Sequence, residues 1–332
     1  MSFSSPKISI VTPSYNQGKY IEQTILSVIS QDYENYEFII IDGGSTDNTI
    51  EIISKYEKYI SYWVSEPDLG QAHAINKGLS ICTGDIFNWL NSDDFLEPDA
   101  LQKIGYYFKD NPGMNILCGY TRCFFDETNI TSHIYRMGIK SSAANTILFP
   151  EMNQPGTFYR MNTIKSLGGV NQSLRYVFDN DLWFRYLNKY GLNNIGTTDY
   201  LLTHFRLHEK SKTVNDGYDA FDLESKAIYK WLSHFYQLSN PIRLYLNSEN
   251  SFSGFVPLKW EGKYFDKTMF ELFLASNYMV QLISDKHLKL ARKGFYFKIK
   301  NGLLILDRKH FSAFFKLFVF PGYFKSHINA NN

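Results

Sequence analysis

Cysteine is scarce in this sequence: three residues in 332, Cys82, Cys118 and Cys123, with no CxxC spacing. That excludes a disulfide framework and a thiolate zinc site, and it fits a reducing compartment. Long apolar runs are missing as well. A bilayer span needs ~20 apolar residues, and the nearest approach, residues 311–324, is interrupted by Lys316 and Pro321. The chain reaches a strand-like run by Lys7 with no basic-then-apolar leader, so a cytoplasmic location is expected. Neither charge sign dominates: 34 Lys and Arg against 33 Asp and Glu leave a net charge of +1, which gives no global reason to expect nucleic acid as a partner. Finally, no GxGxxG follows the first apolar run. Thr12-Pro13-Ser14 occupies that turn, which excludes a nicotinamide dehydrogenase.

What is present reads as a globular protein. Hydrophobic residues make up 44% and charged residues 20%, so wholesale disorder is excluded, and the length favours two domains. Aromatic residues reach 17%, which suits a deep core, a sugar-stacking cleft or a membrane interface; composition does not choose among them.

Along the first hundred residues, short apolar runs alternate with helical spacing. Residues 7–13, 36–41, 60–64 and 85–90 read as buried strands. Tyr20, Ile21, Ile25, Leu26, Val28 and Ile29 mark a helix after the first; Ser45-Thr46-Asp47 starts a second and residues 71–81 form a third. This alternation means βαβ units and a largely parallel sheet, whose ligands bind beyond the carboxyl ends of the strands. Polar residues cluster at those ends: Thr12 and Tyr15, Asp42, Asp68, and Asn91-Ser92-Asp93-Asp94. After Ala100 the regularity falls. Residues 115–150 read as irregular strands and loops, 179–190 and 223–235 as helices, 240–260 as loop-rich, and 266 onward as helical again.

Two readings stand for each strand-end acid. Asp42 before two glycines either accepts from a nucleobase or ribose or caps its own turn. Asp93 and Asp94 repel each other and call for a counter-charge. A hard divalent cation bridging to a diphosphate meets that need, while a helix N-cap before Glu97-Pro98-Asp99 is the plainer alternative.

The segments IVTPSYNQGKYIEQTILSVISQ, IIIDGGSTDNT, SEPDLGQAHAINKGL, TGDIFNWLNSDD, QPGTFYR and FDNDLWFRYL occur in an order and spacing that resemble family 2 glycosyltransferases of the GT-A fold, across residues 7–213. The resemblance implies a Rossmann-like, mostly parallel sheet flanked by helices. It also implies inverting transfer of a sugar from a nucleotide-diphosphate donor, UDP-linked, to a glycan or lipid-linked acceptor in surface polysaccharide assembly. By position, Thr12, Pro13 and Tyr15 match the first nucleotide-contacting loop, and Asp42 the acid that holds the base. Asp68, Gln71 and Asn76 match the segment beside the ribose and donor sugar. Asn91-Ser92-Asp93 falls on the DXD metal motif with Asn at its first position, which leaves Asp93 as the metal contact, for Mn or Mg, and Asn91 and Ser92 beside the donor. Asp179 falls on the acid near the acceptor, the general base, with Asp181 as its competitor and a helix N-cap as the plainer reading. His208, rather than His204, matches the late histidine near the diphosphate or metal; His73 has a weaker claim near the donor. Trp183 reads first as core. The departure at Asn91 favours the alternative of a catalytically inactive sugar-nucleotide-binding or scaffold subunit.

These motifs divide the chain into a catalytic domain over 1–219, with a donor half at 1–110 and an acceptor half at 111–219, and a mainly helical, aromatic-rich region over 220–332. Between 286 and 325 ten Lys or Arg face one acid, Asp307, among many phenylalanines. Such a stretch suits an anionic membrane surface at the inner face of the membrane. Packing of the aromatics with the lysines in water is the equal alternative.

Overall fold

The apolar runs at the start of the chain fold into a parallel sheet in the computed structural model, which describes residues 5–212, 217–301 and Leu317. Strand β1 (Ile8–Ser14) lies between β2 (Tyr36–Asp42) and β4 (Ile86–Trp89), and β2 pairs on its other side with β3 (Tyr62–Ser65); all three pairings are parallel. Helices α1 (Ile21–Ile29), α2 (Thr49–Lys55) and α3 (Gln71–Ile81) make the crossovers. β1 is buried along its whole length, which is why it reads as an unbroken apolar run rather than an alternating one. Ile8, Ile10, Phe38, Ile40 and Ile86 pack with Ile21, Ile25 and Val28 of α1 into one core.

The second half adds β5 (Phe95–Leu96), α4 (Ala100–Asp110), β6 (Ile116–Phe125), β7 (Thr131–Tyr135), α5 (Ala143–Leu148), β8 (Thr157–Arg160), α6 (Met161–Ser166), α7 (Phe178–Tyr190) and β9 (Ile195–Leu207). The sheet runs β3-β2-β1-β4-β8-β6-β9-β5, with β7 on β6. β8 is antiparallel to β4 and β6, while β6 and β9 are parallel. The result is a mixed α/β sheet flanked by helices, the architecture that the GT-A resemblance implies.

Two stretches differ from the sequence expectation. Residues 115–150 hold the ten-residue β6, and the thirteen-residue β9 follows α7. Both lack clean alternation because their mutual register shifts at Cys118–Tyr120 and Tyr120–Thr121, so inward and outward positions exchange along the strand. Within 240–260, Asn240–Ser248 is a helix with proline in its first turn and with Ile242 and Leu246 buried one turn apart. Pro241 fits there because the missing N–H has no intrahelical partner to lose.

The chain packs as two units. One comprises residues 1–224 and 254–264 and the other 225–253 and 265–332; the division falls within helix α8 (Gly217–Phe235). The second unit holds α9 (Asn240–Ser248), α10 (Lys267–Asn277), α11 (Met279–Ser284) and α12 (Leu288–Lys300). In α12, Phe295 and Phe297 are buried while Tyr296, Lys289, Lys293 and Lys300 are exposed. Of the other basic and aromatic residues of the stretch, Arg308, Lys309, Phe311, Phe314, Phe315, Lys316, Phe318, Phe320, Tyr323, Phe324 and Lys325 lie outside the described residues. No described helix is long and apolar enough to cross a membrane. The three cysteines are free and buried, and burial pushes the thiols of Cys82 and Cys118 up to about 12 and that of Cys123 to about 11.

Candidate active site

A cleft of about 980 Å3 opens where β1, β2, β3 and β4 end, and all of its lining residues belong to the first unit. Pro13, Ser14 and Tyr15 follow from β1, Gly43 from β2, Pro67 and Asp68 from β3, and Asn91, Ser92 and Asp93 from β4. The opposite wall carries Gln172–Tyr176, Phe178 and Asp179, with Lys210, Ser211 and Lys212 beyond β9. Gln154, from the QPG segment, lines the floor and donates its Nε2 to the Trp89 carbonyl at 2.7 Å, fixing the end of β4.

Helix α3 begins beside the cleft. Gly70 precedes it with φ of 107°, a conformation that suits glycine. Its N–H is held by Asp68 Oδ1 at 2.7 Å, and Asp68 also crowds Gly43, where an added Cβ would sit 3.0 Å from Oδ2. The N-terminal N–H groups of α3 and the helix dipole favour an anion. Ser14 Oγ, in the same lining, is buried and meets no protein partner.

Asp42 is fully buried and lies outside the lining. Its Oδ2 accepts from Gly44 N, Ser45 N and Ser65 Oγ, and its Oδ1 from Ser45 Oγ. Thr12 is equally buried, and its Oγ1 is unpartnered. Asn76 is likewise outside the lining: its amide donates to Val170 O at 2.8 Å and accepts from Val170 N at 3.0 Å. In this structure Asp42 anchors its own turn, and Asn76 clamps α3 to the turn before α7.

The two acids after β4 divide their work. Asp94 is buried, accepts the Arg206 N–H at 3.0 Å and the Asn91 Nδ2 at 3.1 Å, and is pushed well above the carboxylate range by burial and by Asp93. Asp93 borders the cleft, and its Oδ2 lies 3.0 Å from His208 Nε2. His208 is stacked at a tilt on Tyr20, centroids 4.5 Å apart. Arg206 secures the pair from behind: its Nε donates to the Asp93 carbonyl and its Nη1 to Asp126. His204, the competitor of His208, is bonded to Glu97 and stacked on Phe95, and burial lowers its pKa. His73 stays outside the lining with a buried, unpartnered Nδ1.

Asp179 stands in the first turn of α7 and lines the cleft. Its Oδ1 accepts the Asn180 N–H at 2.8 Å. Burial pushes its pKa from 3.8 to about 6, against the pull of that hydrogen bond and of Lys212. Asp181 is different. It is 3% exposed, lies outside the lining and pairs with Arg185 Nε at 2.8 Å, while the rest of that guanidinium holds the Leu167 and Gly169 carbonyls. Trp183 is fully buried.

Sequence reasoning missed Lys212, Arg206 and Gln154. Lys212 Nζ donates to Gln71 Oε1 at 2.7 Å and to the Arg175 carbonyl at 3.1 Å, and Gln71 Nε2 donates to Asn91 Oδ1 at 2.7 Å. One run of hydrogen bonds therefore crosses the cleft from the Arg175 wall to Asn91 and Asp94. A basic residue four positions after a site histidine was the available signal.

Residues 9–171 match the model of the family described as Glycosyl transferase family 2. A protein of Rickettsia typhi bearing the name uncharacterized glycosyltransferase is 30% identical over 217 residues, 63% of this chain and 66% of its own length. The chondroitin synthase of Escherichia coli is 30% identical over 207 residues, 57% of this chain and 29% of that protein. The chain thus spans less than two thirds of these relatives. Among solved structures, S. aureus TarS 1-349 in complex with UDP-GlcNAc superposes with a TM-score of 0.53 at 16% identity, over 88% of this chain and 80% of that one. That likeness is one of fold. The matched stretch covers β1 to β8 and the three crossover helices, while the 172–179 wall and β9 lie beyond it: over residues 9–171 the chain carries a glycosyl transferase family 2 domain.

Proposed function

We propose that the chain is an inverting glycosyltransferase that moves a sugar, a hexose or N-acetylhexosamine, from a UDP-linked donor to a hydroxyl of a glycan or lipid-linked acceptor. Residues 1–110 hold the donor and 111–219 the acceptor. The acceptor oxygen attacks the anomeric carbon and its proton passes to Asp179. As the new C–O bond forms, the bond from that carbon to the diphosphate breaks on the opposite face, and the electron pair leaves with the diphosphate. The observation that carries this reading is Asp179, a carboxylate raised to about 6 in the same cleft as Asp93. A base of that pKa is mostly ionised at neutral pH and still basic enough to accept a proton.

The donor set around Asp93 fits a hard divalent cation, Mn or Mg. Asp93 borders the cleft with His208 against it, and such cations keep few protein ligands while taking phosphate and water for the rest. Bound there, the cation would neutralise charge growing on the departing diphosphate. The neighbouring fold that binds UDP-GlcNAc supports the UDP assignment, and the relative that is a chondroitin synthase supports polysaccharide assembly as the setting.

Exposed Lys289, Lys293 and Lys300 support contact of the 286–325 stretch with an anionic membrane. Flotation with anionic vesicles tests it, and no salt-sensitive binding would count against it. A catalytically inactive binding subunit is the second reading, favoured by Asn91 at the first position of the metal motif. A thermal-shift panel of nucleotide sugars with and without Mn, followed by UDP release, separates the two. Binding without turnover by the wild type would leave only the second; turnover abolished by Asp179→Asn with donor binding kept supports the first.

A further inference from the structure

Helix α7, which carries Asp179, starts without a cap of its own. Its N-cap residue is Val177, whose side chain has no polar atom, and the backbone N–H groups just before the helix need acceptors. The acceptor comes from 47 residues downstream. Glu224, 3% exposed on α8, takes the Arg175 N–H on Oε1 at 2.7 Å and the Tyr176 and Val177 N–H groups on Oε2 at 2.8 and 3.1 Å. Three consecutive amides thus converge on one carboxylate, the arrangement by which a turn of backbone holds an anion. Here the anion is a side chain of the same chain.

The turn so held is a wall of the cleft. Arg175 and Tyr176 line it, and the Arg175 carbonyl accepts from Lys212. Resting on the assignment of Asp179 as base, we propose that Glu224 is a positioning residue. Its carboxylate fixes the 175–177 turn, sets where α7 begins, and thereby presents Asp179 to the acceptor. Without it the three amides of this half-buried turn would lack their charged acceptor, and the base would ride on a loose helix start. Glu224 acts on Asp179 by charge as well. The groups that bear on the base are Lys212, which favours its ionised form, Glu224, which opposes it, and the Tyr135 and Tyr159 hydroxyls nearby.

The test is made on the full chain with aspartate carboxyls labelled with 13C, the Asp179 signal being identified by its loss in Asp179→Asn. In Glu224→Gln the titration midpoint of Asp179 is expected to move to lower pH, because a negative neighbour is gone. Amide hydrogen exchange at Arg175, Tyr176 and Val177 should quicken about tenfold or more, the equivalent of losing one charge-assisted hydrogen bond. A merely structural residue would leave the midpoint where it was. Glu224→Asp, with the charge kept and the reach shortened, should quicken exchange yet hold the midpoint close to the wild type; it serves as the reporter if Glu224→Gln does not fold. An unmoved midpoint in Glu224→Gln, or unchanged exchange at the three amides in either variant, overturns the proposal. Full transfer by Asp179→Asn would instead sink the base assignment alone, since the titration and exchange results judge Glu224 separately.

Discussion

Asn91 donates its Nδ2 to Oδ2 of the buried Asp94 across 3.1 Å, while its own Oδ1 accepts from Gln71. The amide at the first position of the metal motif is therefore matched to its neighbours on both sides. A carboxylate there would face Asp94, whose ionisation burial and Asp93 already oppose. Asn91→Asp is expected to lower stability by about 1–3 kcal/mol, the range for a buried polar group left without its partner. It should not improve Mn-dependent UDP binding. Thermal unfolding with and without UDP and Mn checks both halves. An unchanged melting temperature with tighter metal-dependent binding would show that Asn91 is only a weakened metal ligand.

Gly43 meets a different constraint. Its φ lies outside the left-handed region, so backbone strain is not the issue; space is. An added Cβ would come within 3.0–3.2 Å of all three atoms of the Asp68 carboxyl group, at the rim where α3 begins. Gly43→Ala should leave the fold intact and push Asp68 off the Gly70 N–H. Donor affinity is expected to fall about tenfold, the loss of one hydrogen-bonded contact, with the melting temperature of the ligand-free protein nearly constant. Calorimetric titration of UDP measures the first and unfolding the second; equal affinity in the variant would remove Asp68 from the donor site.

The half of the fold that was legible in the sequence is the half made of local signals. β1 and β2 are buried apolar runs and α1 is an amphipathic repeat, so each declares itself within a dozen residues. β6 and β9 do not, because shifts in register scramble the two-residue period that marks a strand. The same divide runs through the site. Asp93 and Asp179 stand in recognisable strings, and both border the cleft. Asp42 and Asn76 stand in equally recognisable strings, yet their polar atoms are engaged by Ser45, Ser65 and Val170. Whether an acid faces a cleft or its own turn depends on hydrogen bonds that spacing does not encode. Glu224 had no signal at all, since its partners lie 47–49 residues away.

In the second unit, Gly294 on α12 lies against the backbone of α10. A Cβ there would sit 2.7 Å from the carbonyl carbon and oxygen of Ala275 and 2.8 Å from the Ser276 nitrogen. Backbone cannot rotate aside as a side-chain tip can. Gly294→Ala should therefore force the helices apart and destabilise by about 1–3 kcal/mol, although alanine is the better helix former. UDP binding, proposed for the cleft of the first unit, is expected to stay within about twofold of the wild type under conditions where both are folded, the scatter of a distant, independent site. Unfolding by heat or urea reads the first; a variant as stable as the wild type would mean that the helix contact has room to spare.

Asp179 should link catalysis to stability with opposite signs. Its pKa rises from 3.8 to about 6 on folding, chiefly because the ionised form is poorly solvated. A carboxyl group raised in this way adds stability while it is neutral in the folded state. That contribution is complete below about pH 4 and is lost as pH climbs through about 6. Two units of pKa correspond to ~3 kcal/mol, and since the side chain is only half-buried the expected effect is about 1–2 kcal/mol. Asp179→Asn, which keeps the acceptor for the Asn180 N–H, should thus melt higher than the wild type at pH 8 and no higher near pH 4. Transfer should fall by ~10²–10⁴, the usual worth of general-base help, and the acid limb of the wild-type rate profile should have its midpoint near 6. Parallel unfolding and turnover series across that pH range measure both effects. If the variant were less stable than the wild type at every pH, the raised pKa would be wrong, and the limb of the rate profile would need another group to explain it.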